Sequence, residues 1–123
     1  MRYMLDANAF ILLLVGHPDV VARAAECEAD DLVVSAIAFG EVAHGSLNSK
    51  PPALQTLRRA VSRIAVLPFD QAAAEAYAGL PFKRGSYDQL IAAHAIALDL
   101  TLVTANIGDF ARIPHLRFEA WTK

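Results

Sequence analysis

Tyr3-Met4-Leu5-Asp6-Ala7-Asn8-Ala9-Phe10-Ile11-Leu12-Leu13-Leu14-Val15-Gly16-His17-Pro18 is the stretch on which the fold reading turns. An apolar run halts on an aspartate, and apolar residues resume almost at once. Tyr3-Met4-Leu5 is too short for a helix and suits a buried strand. Asn8 to Val15 is long enough for a helix, and Gly16-His17-Pro18 breaks it. A buried strand that passes directly into a helix opens a βαβ unit.

The same alternation continues downstream. Asp19 to Glu28 resumes helical spacing, with Val20, Val21, Ala24 and Ala25 inward. Asp30-Asp31 forms a polar turn before a second strand, Leu32-Val33-Val34-Ser35. Ser35 suits the N-cap of a helix from Ala36 to His44, with Gly45 placed to stop it. Ala53 to Arg63 has helical spacing, and Ile64 to Leu67 reads as a third strand. Asp70 caps a helix reaching Gly79. Ser86-Tyr87-Asp88-Gln89 has the spacing of a capping box and opens a helix to about Leu98. Thr101 to Thr104 and Leu116 to Phe118 complete the strands. Short apolar strands separated by helices predict one α/β domain over residues 1–123, a parallel sheet with helices on both faces.

The 123 residues can bury one core, and a hydrophobic share of 55% argues against disorder. A net charge of -2 argues against a generally basic nucleic-acid binder, so any attraction to nucleic acid has to be local. Arg58, Arg59, Lys83 and Arg84 are the candidates for that attraction. Cys27 is the single cysteine, which rules out an internal disulfide and suits a reducing compartment. With an aspartate already at position 6, no secretory segment is expected. Ala9 to Gly16 falls short of the roughly 20 residues a membrane span needs. The expected setting is the cytoplasm, with no membrane.

Asp6, Glu41, Asp88 and Asp109 are carboxylates flanked by apolar residues rather than by solvated faces. Ligand sites in open parallel sheets lie beyond the carboxyl ends of the strands. Asp6 follows the first strand, Glu41 lies in the helix after the second, Asp88 opens its helix, and Asp109 follows the fourth strand. All four can therefore reach one end of the sheet. Each also has a plainer role. Asp6 and Asp109 can cap helices, Asp88 complements a helix dipole, and Glu41 can be a surface residue. His44 falls three residues after Glu41 and either neighbours the site or simply ends the helix. His94 falls on a different helical face from Asp88 and is expected to be structural. Gathered together, the carboxylates would repel one another unless a cation neutralised them. Hard oxygen ligands suit Mg²⁺ or Mn²⁺, and such sites suit phosphodiester chemistry.

These motifs resemble the PIN-domain ribonucleases, and in particular the VapC toxins of bacterial toxin–antitoxin pairs. Met4-Leu5-Asp6-Ala7-Asn8 is similar to the family's opening acidic motif, and Ser35 to Gly45 to the segment carrying its glutamate. Asp88-Gln89-Leu90-Ile91-Ala92-Ala93-His94-Ala95 resembles the third motif, and Leu102 to Phe110 the fourth. The resemblance implies a PIN-like fold and Asp6, Glu41, Asp88 and Asp109 as holders of Mg²⁺ or Mn²⁺, with Asn106 supporting them. It implies endoribonuclease activity in which metal-activated water attacks the phosphodiester. It also implies a homodimer and a VapB-like antitoxin that covers the acidic groove. Two departures stand out. Ala7 replaces the hydroxyl residue many relatives carry after the first aspartate, and the stretch between Tyr77 and Asp88 is short. The competing expectation is a catalytically silent PIN-like module that binds RNA or the antitoxin.

Overall fold

A computed structural model describes residues 1–82 and 86–122. Five strands form one sheet: β1 (Tyr3–Leu5), β2 (Leu32–Ser35), β3 (Ala65–Leu67), β4 (Thr101–Thr104) and β5 (Phe118–Ala120). Their spatial order is β3-β2-β1-β4-β5, and every pairing is parallel. Among the described residues six α-helices connect them: α1 (Ala7–Leu14), α2 (Pro18–Ala25), α3 (Ala36–Leu47), α4 (Leu54–Ala60), α5 (Gln71–Ala78) and α6 (Tyr87–Ala97). The chain first builds outward from β1 to β2 and β3. It then returns through α5 and α6 to lay β4 on the other side of β1. The strand order thus reverses between β1 and β4, the place where open α/β sheets bind ligands.

Alternating side chains of each strand feed two cores. Tyr3, Leu5, Val34 and Val103 pack on one face with Phe10 of α1 and Val20 of α2. Met4, Val33 and Leu102 pack on the other with Ile91, Ala92 and Ala95 of α6 and with Phe110. Strands buried on both faces explain why they read as continuous apolar runs rather than alternating ones. Helix α3 contributes Val42 to the first core and Ala38 to the second. It therefore bridges the two layers and touches both α1 and α6.

The expected boundaries hold for β1, β2 and β4 and for the helices capped by Asp70 and Ser86, and several others shift. Helix α3 does not stop at Gly45; it continues to Leu47, where Asn48 ends it. Gly45 is instead spanned, and its carbonyl accepts from the Asn48 and Lys50 amides. The final strand is Phe118–Ala120 rather than Leu116 to Phe118, because its register on β4 pairs Leu102 with Phe118. Helix α4 ends at Ala60, short of Arg63. On α2 only Val20 is fully inward; Val21 is 41% exposed, since α2 packs along a narrow stripe. Cys27 lies just beyond α2, half-buried. Among the described residues no single helix is long and apolar enough to cross a membrane.

Candidate active site

Asp6 sits at the turn from β1 into α1. Its amide donates to the Val103 carbonyl at 2.9 Å, fixing it at the β1/β4 switch point. Its Oδ1 accepts from the Ala9 amide at 2.7 Å, so the same side chain caps α1. The residue is only 3% exposed. Burial pushes its carboxyl above the usual carboxylate range. The Thr104 hydroxyl and the Ala9 amide pull it back, and the charges of Asp88 and Asp109 push it further up.

Glu41 lies in α3 and Asp88 in the first turn of α6, brought together by the contact between those helices. Burial raises the Glu41 carboxyl, helped by the charges of Asp88 and Asp6. Burial likewise raises Asp88, with Asp109 adding to it. Mutual influence in these pairs places all four sequence-selected carboxylates in one electrostatic neighbourhood at the carboxyl ends of the strands.

Asp109 ends a 3₁₀ turn, Ile107–Asp109, after β4. Asn106 Nδ2 donates to Asp109 Oδ2 at 2.8 Å, and the Asn106 amide donates to Thr104 Oγ1 at 2.9 Å. Thr104 is thus a link between Asp6 and the Asn106–Asp109 loop. Sequence reasoning passed over it because a β-branched residue at the end of a strand needs no further explanation. It supplies a hydroxyl beside Asp6, although Ala7 carries none.

Two more residues enter from the structure. Gln89 is buried and its Oε1 has no hydrogen-bond partner. Ser86 Oγ accepts from the Gln89 amide at 3.2 Å, so only half of the expected capping box forms. Arg112 lines a groove of about 280 Å³ with Asp88, Gln89 and Asp109, and its guanidinium lies 4.7 Å from the Phe82 ring centroid. By contrast, Arg58 and Arg59 occupy the last turn of α4. That turn leads toward the start of β3, the sheet end away from the carboxylates. Lys83 and Arg84 lie outside the described residues. His94 is buried on α6, with Nδ1 2.8 Å from Ser35 Oγ, in keeping with a structural role.

Among the described residues no Lys, Arg or His pairs with any of the four carboxylates. Nor do three Asp, Glu, His or Cys side chains there stand close enough to enclose a metal ion as they are. Glu41 Oε1 is buried without any hydrogen-bond partner. A buried polar atom left unpaired is costly, and like charges raise one another's cost further. An all-oxygen set in that condition fits a hard divalent cation.

The fold and site define a class: a parallel α/β sheet carrying carboxylates at its switch point, a donor set of the kind that cation-assisted chemistry uses. The chain belongs to the PIN-domain family, whose pattern it matches over residues 3–116. It is 34% identical to ribonuclease VapC2 of Rickettsia felis, with 100% of each chain covered. It is 32% identical to the tRNA(fMet)-specific endonuclease VapC of Salmonella typhimurium, over 98% of each. Among solved structures it resembles VapBC2 of Rickettsia felis bound to a promoter DNA fragment, with a TM-score of 0.85 and 33% identity over 99% of this chain and 100% of that one. DNA-bound VapBC of Salmonella typhimurium follows at a TM-score of 0.82 and 28% identity, over 99% of each chain.

Proposed function

We propose that this chain is a divalent-metal-dependent endoribonuclease, the toxin of a toxin–antitoxin pair that acts in the cytoplasm. The observation that carries the reading is the convergence of Asp6, Glu41, Asp88 and Asp109 at the β1/β4 switch point, with burial and mutual repulsion raising three of them. Asp6, Asp88 and Asp109 would hold Mg²⁺ or Mn²⁺, with Glu41 direct or through water. The cation supplies Lewis-acid activation of water and charge neutralisation for phosphodiester hydrolysis. The protein's own part is orientation. Asn106 holds one Asp109 oxygen, the Ala9 amide holds Asp6 Oδ1, and Thr104 ties the two loops together. No side-chain nucleophile is required.

The partner is a VapB-like antitoxin. An acidic groove invites a lysine or arginine from another chain in place of the cation. Val15 at the end of α1 and Leu47 at the end of α3 are 50% and 71% exposed, giving apolar footing for such a partner on the two helices that start at the carboxylate end of the sheet. The working form is a homodimer. The test is cleavage of total cellular RNA by the purified chain with Mg²⁺ or Mn²⁺, with and without chelator. Cleavage that requires the metal and vanishes in Asp6→Asn is the expected result. Metal-independent cleavage, or full activity of Asp6→Asn, overturns the reading.

A further inference from the structure

A second cleft adjoins the carboxylates through Glu41. It lies between α3 and the start of α6, encloses about 610 Å³, and is lined by Ala36, Ile37, Gly40, Glu41, His44 and Tyr87. That volume falls in the roughly 300–1,000 Å³ range of small-ligand sites. Glu41 belongs to both this cleft and the acidic centre, so whatever fills the cleft lies beside the reacting phosphate.

Two residues of the cleft are hard to explain as scaffold. Tyr87 is 62% exposed although it directly precedes Asp88. It also borders a second hollow with Tyr77, Ser86 and Leu90, so its side chain stands between two open spaces. Gly40 lies inside α3, where glycine costs about 1 kcal/mol relative to alanine. Its backbone does not require glycine, and a Cβ built there meets nothing within 4 Å. Neither packing nor conformation accounts for it. What its lack of a side chain does is keep the cleft open opposite Tyr87.

We propose that this cleft is a nucleobase subsite, in which a base of the RNA strand next to the scissile phosphate stacks on Tyr87 in the space left by Gly40. The inference rests on the ribonuclease reading above. An exposed aromatic ring is the sequence-tolerant surface that single-stranded nucleic acid uses, because every base has a flat face. It also meets the charge problem of this chain. With a net charge of -2, RNA has to be held by local contacts, and stacking adds affinity without adding charge. His44, exposed at the rim, offers ring nitrogens to a base edge or a 2′-hydroxyl.

The experiment uses the full chain, a single-stranded RNA oligonucleotide carrying 2-aminopurine, and the variants Tyr87→Ala, Tyr87→Phe and Gly40→Leu. Quenching of 2-aminopurine on binding reports stacking independently of cleavage. Tyr87→Ala should lose the quench and raise KM roughly tenfold with kcat within about twofold. Tyr87→Phe should restore both. Gly40→Leu should raise KM as Tyr87→Ala does while its thermal midpoint holds or rises. If wild type quenches but does not cleave, the subsite stands and the nuclease reading fails. If wild type cleaves while quench and KM are unchanged in Tyr87→Ala, the subsite is overturned. Loss of antitoxin binding or of dimer mass in Tyr87→Ala, with RNA parameters unchanged, overturns it equally by making this face a protein interface. A wild type that neither quenches nor cleaves overturns both.

Discussion

Ser35 Oγ and His94 Nδ1 lie 2.8 Å apart, buried, across 59 residues of sequence. Ser35 ends β2 and caps α3 by accepting from the Ile37 amide at 3.1 Å. His94 sits on α6, with its ring edge-on to Phe69 at 5.5 Å. One contact thereby ties the helix that carries Glu41 to the helix that carries Asp88. Ser35→Ala removes a cap and strands a buried imidazole, and should cost about 2 kcal/mol in a denaturant titration. A loss of a few tenths would show that the pair is incidental.

The same pair sets a pH dependence. Burial holds the His94 imidazole below its ordinary value, against the pull of Asp70. A depressed folded value means that the unfolded chain takes up the proton first. The neutral ring's contribution is therefore complete above the usual imidazole range, about pH 6.5, and declines as pH falls below it. His94→Gln should narrow its stability gap to wild type in that lower window. A gap that widens there has the wrong sign.

Asn106 presents Asp109 to the site through a single 2.8 Å hydrogen bond. Groups that orient metal-holding carboxylates matter nearly as much as the carboxylates themselves. Asn106→Ala should lower metal affinity or kcat roughly 10- to 100-fold, with the melting temperature little changed because the residue is exposed. Isothermal titration with Mn²⁺ and RNA cleavage rates decide it; unchanged values in both would remove Asn106 from the site.

Much of this arrangement can be read in the chain before folding, for physical reasons. Tyr3–Leu5 and Thr101–Thr104 are legible because strands buried on both faces read as short runs of apolar, aromatic and β-branched residues without charges. Asp6 presents a false choice between cap and site. The carboxylate has two oxygens, and capping α1 through Oδ1 does not stop its charge from belonging to the acidic centre. What stays hidden depends on tertiary contact. Gly45 looks like a helix end, but α3 packs on two layers and runs through it. The three-residue edge strand β5 takes its place from pairing with β4, which no local pattern encodes. Thr104, Gln89 and Arg112 acquire meaning only when β4 and α6 are laid side by side.

Charge placement separates Arg112 from Arg58 and Arg59. It lines the groove with Asp88 and Asp109, whereas Arg58 and Arg59 sit on α4. Arg112→Glu should weaken RNA binding and reduce the slope of log affinity against log salt by about 1, the share of one phosphate contact. Arg58→Glu should leave the slope alone. Equal effects from both would point to diffuse attraction rather than a contact.

Glu41 offers the cleanest view of repulsion inside the site, because it lies within α3 rather than at a cap. Its carboxyl is raised by burial first and by Asp88 and Asp6 next. A raised folded value means that the folded chain holds its proton longer than the unfolded one. Metal-free stability from this group is then present below the ordinary carboxylate range, about pH 4, and is lost as pH rises through the raised value. Glu41→Gln should therefore melt above wild type in chelator at neutral pH, and the difference should shrink toward pH 4. Saturating Mn²⁺ should raise the wild-type midpoint more than that of Glu41→Gln. A variant less stable than wild type in chelator at neutral pH would mean that the carboxylate has a protein partner.

Asp6 carries two duties that two substitutions can separate. Its Oδ1 caps α1, and its charge belongs to the acidic centre. Asparagine is as good an N-cap as aspartate, while alanine is a poor one. Asp6→Asn keeps the bond to the Ala9 amide and removes a charge that burial, Asp88 and Asp109 all disfavour. It should be at least as stable as wild type without metal, yet show no metal-dependent RNA cleavage. Asp6→Ala loses the cap as well and should fall about 1 kcal/mol below Asp6→Asn. Chemical denaturation in chelator ranks the three chains, and cleavage with Mn²⁺ separates wild type from both variants. If Asp6→Asn kept wild-type cleavage, the carboxylate would be a cap alone, and the acidic centre would have to work from Glu41, Asp88 and Asp109.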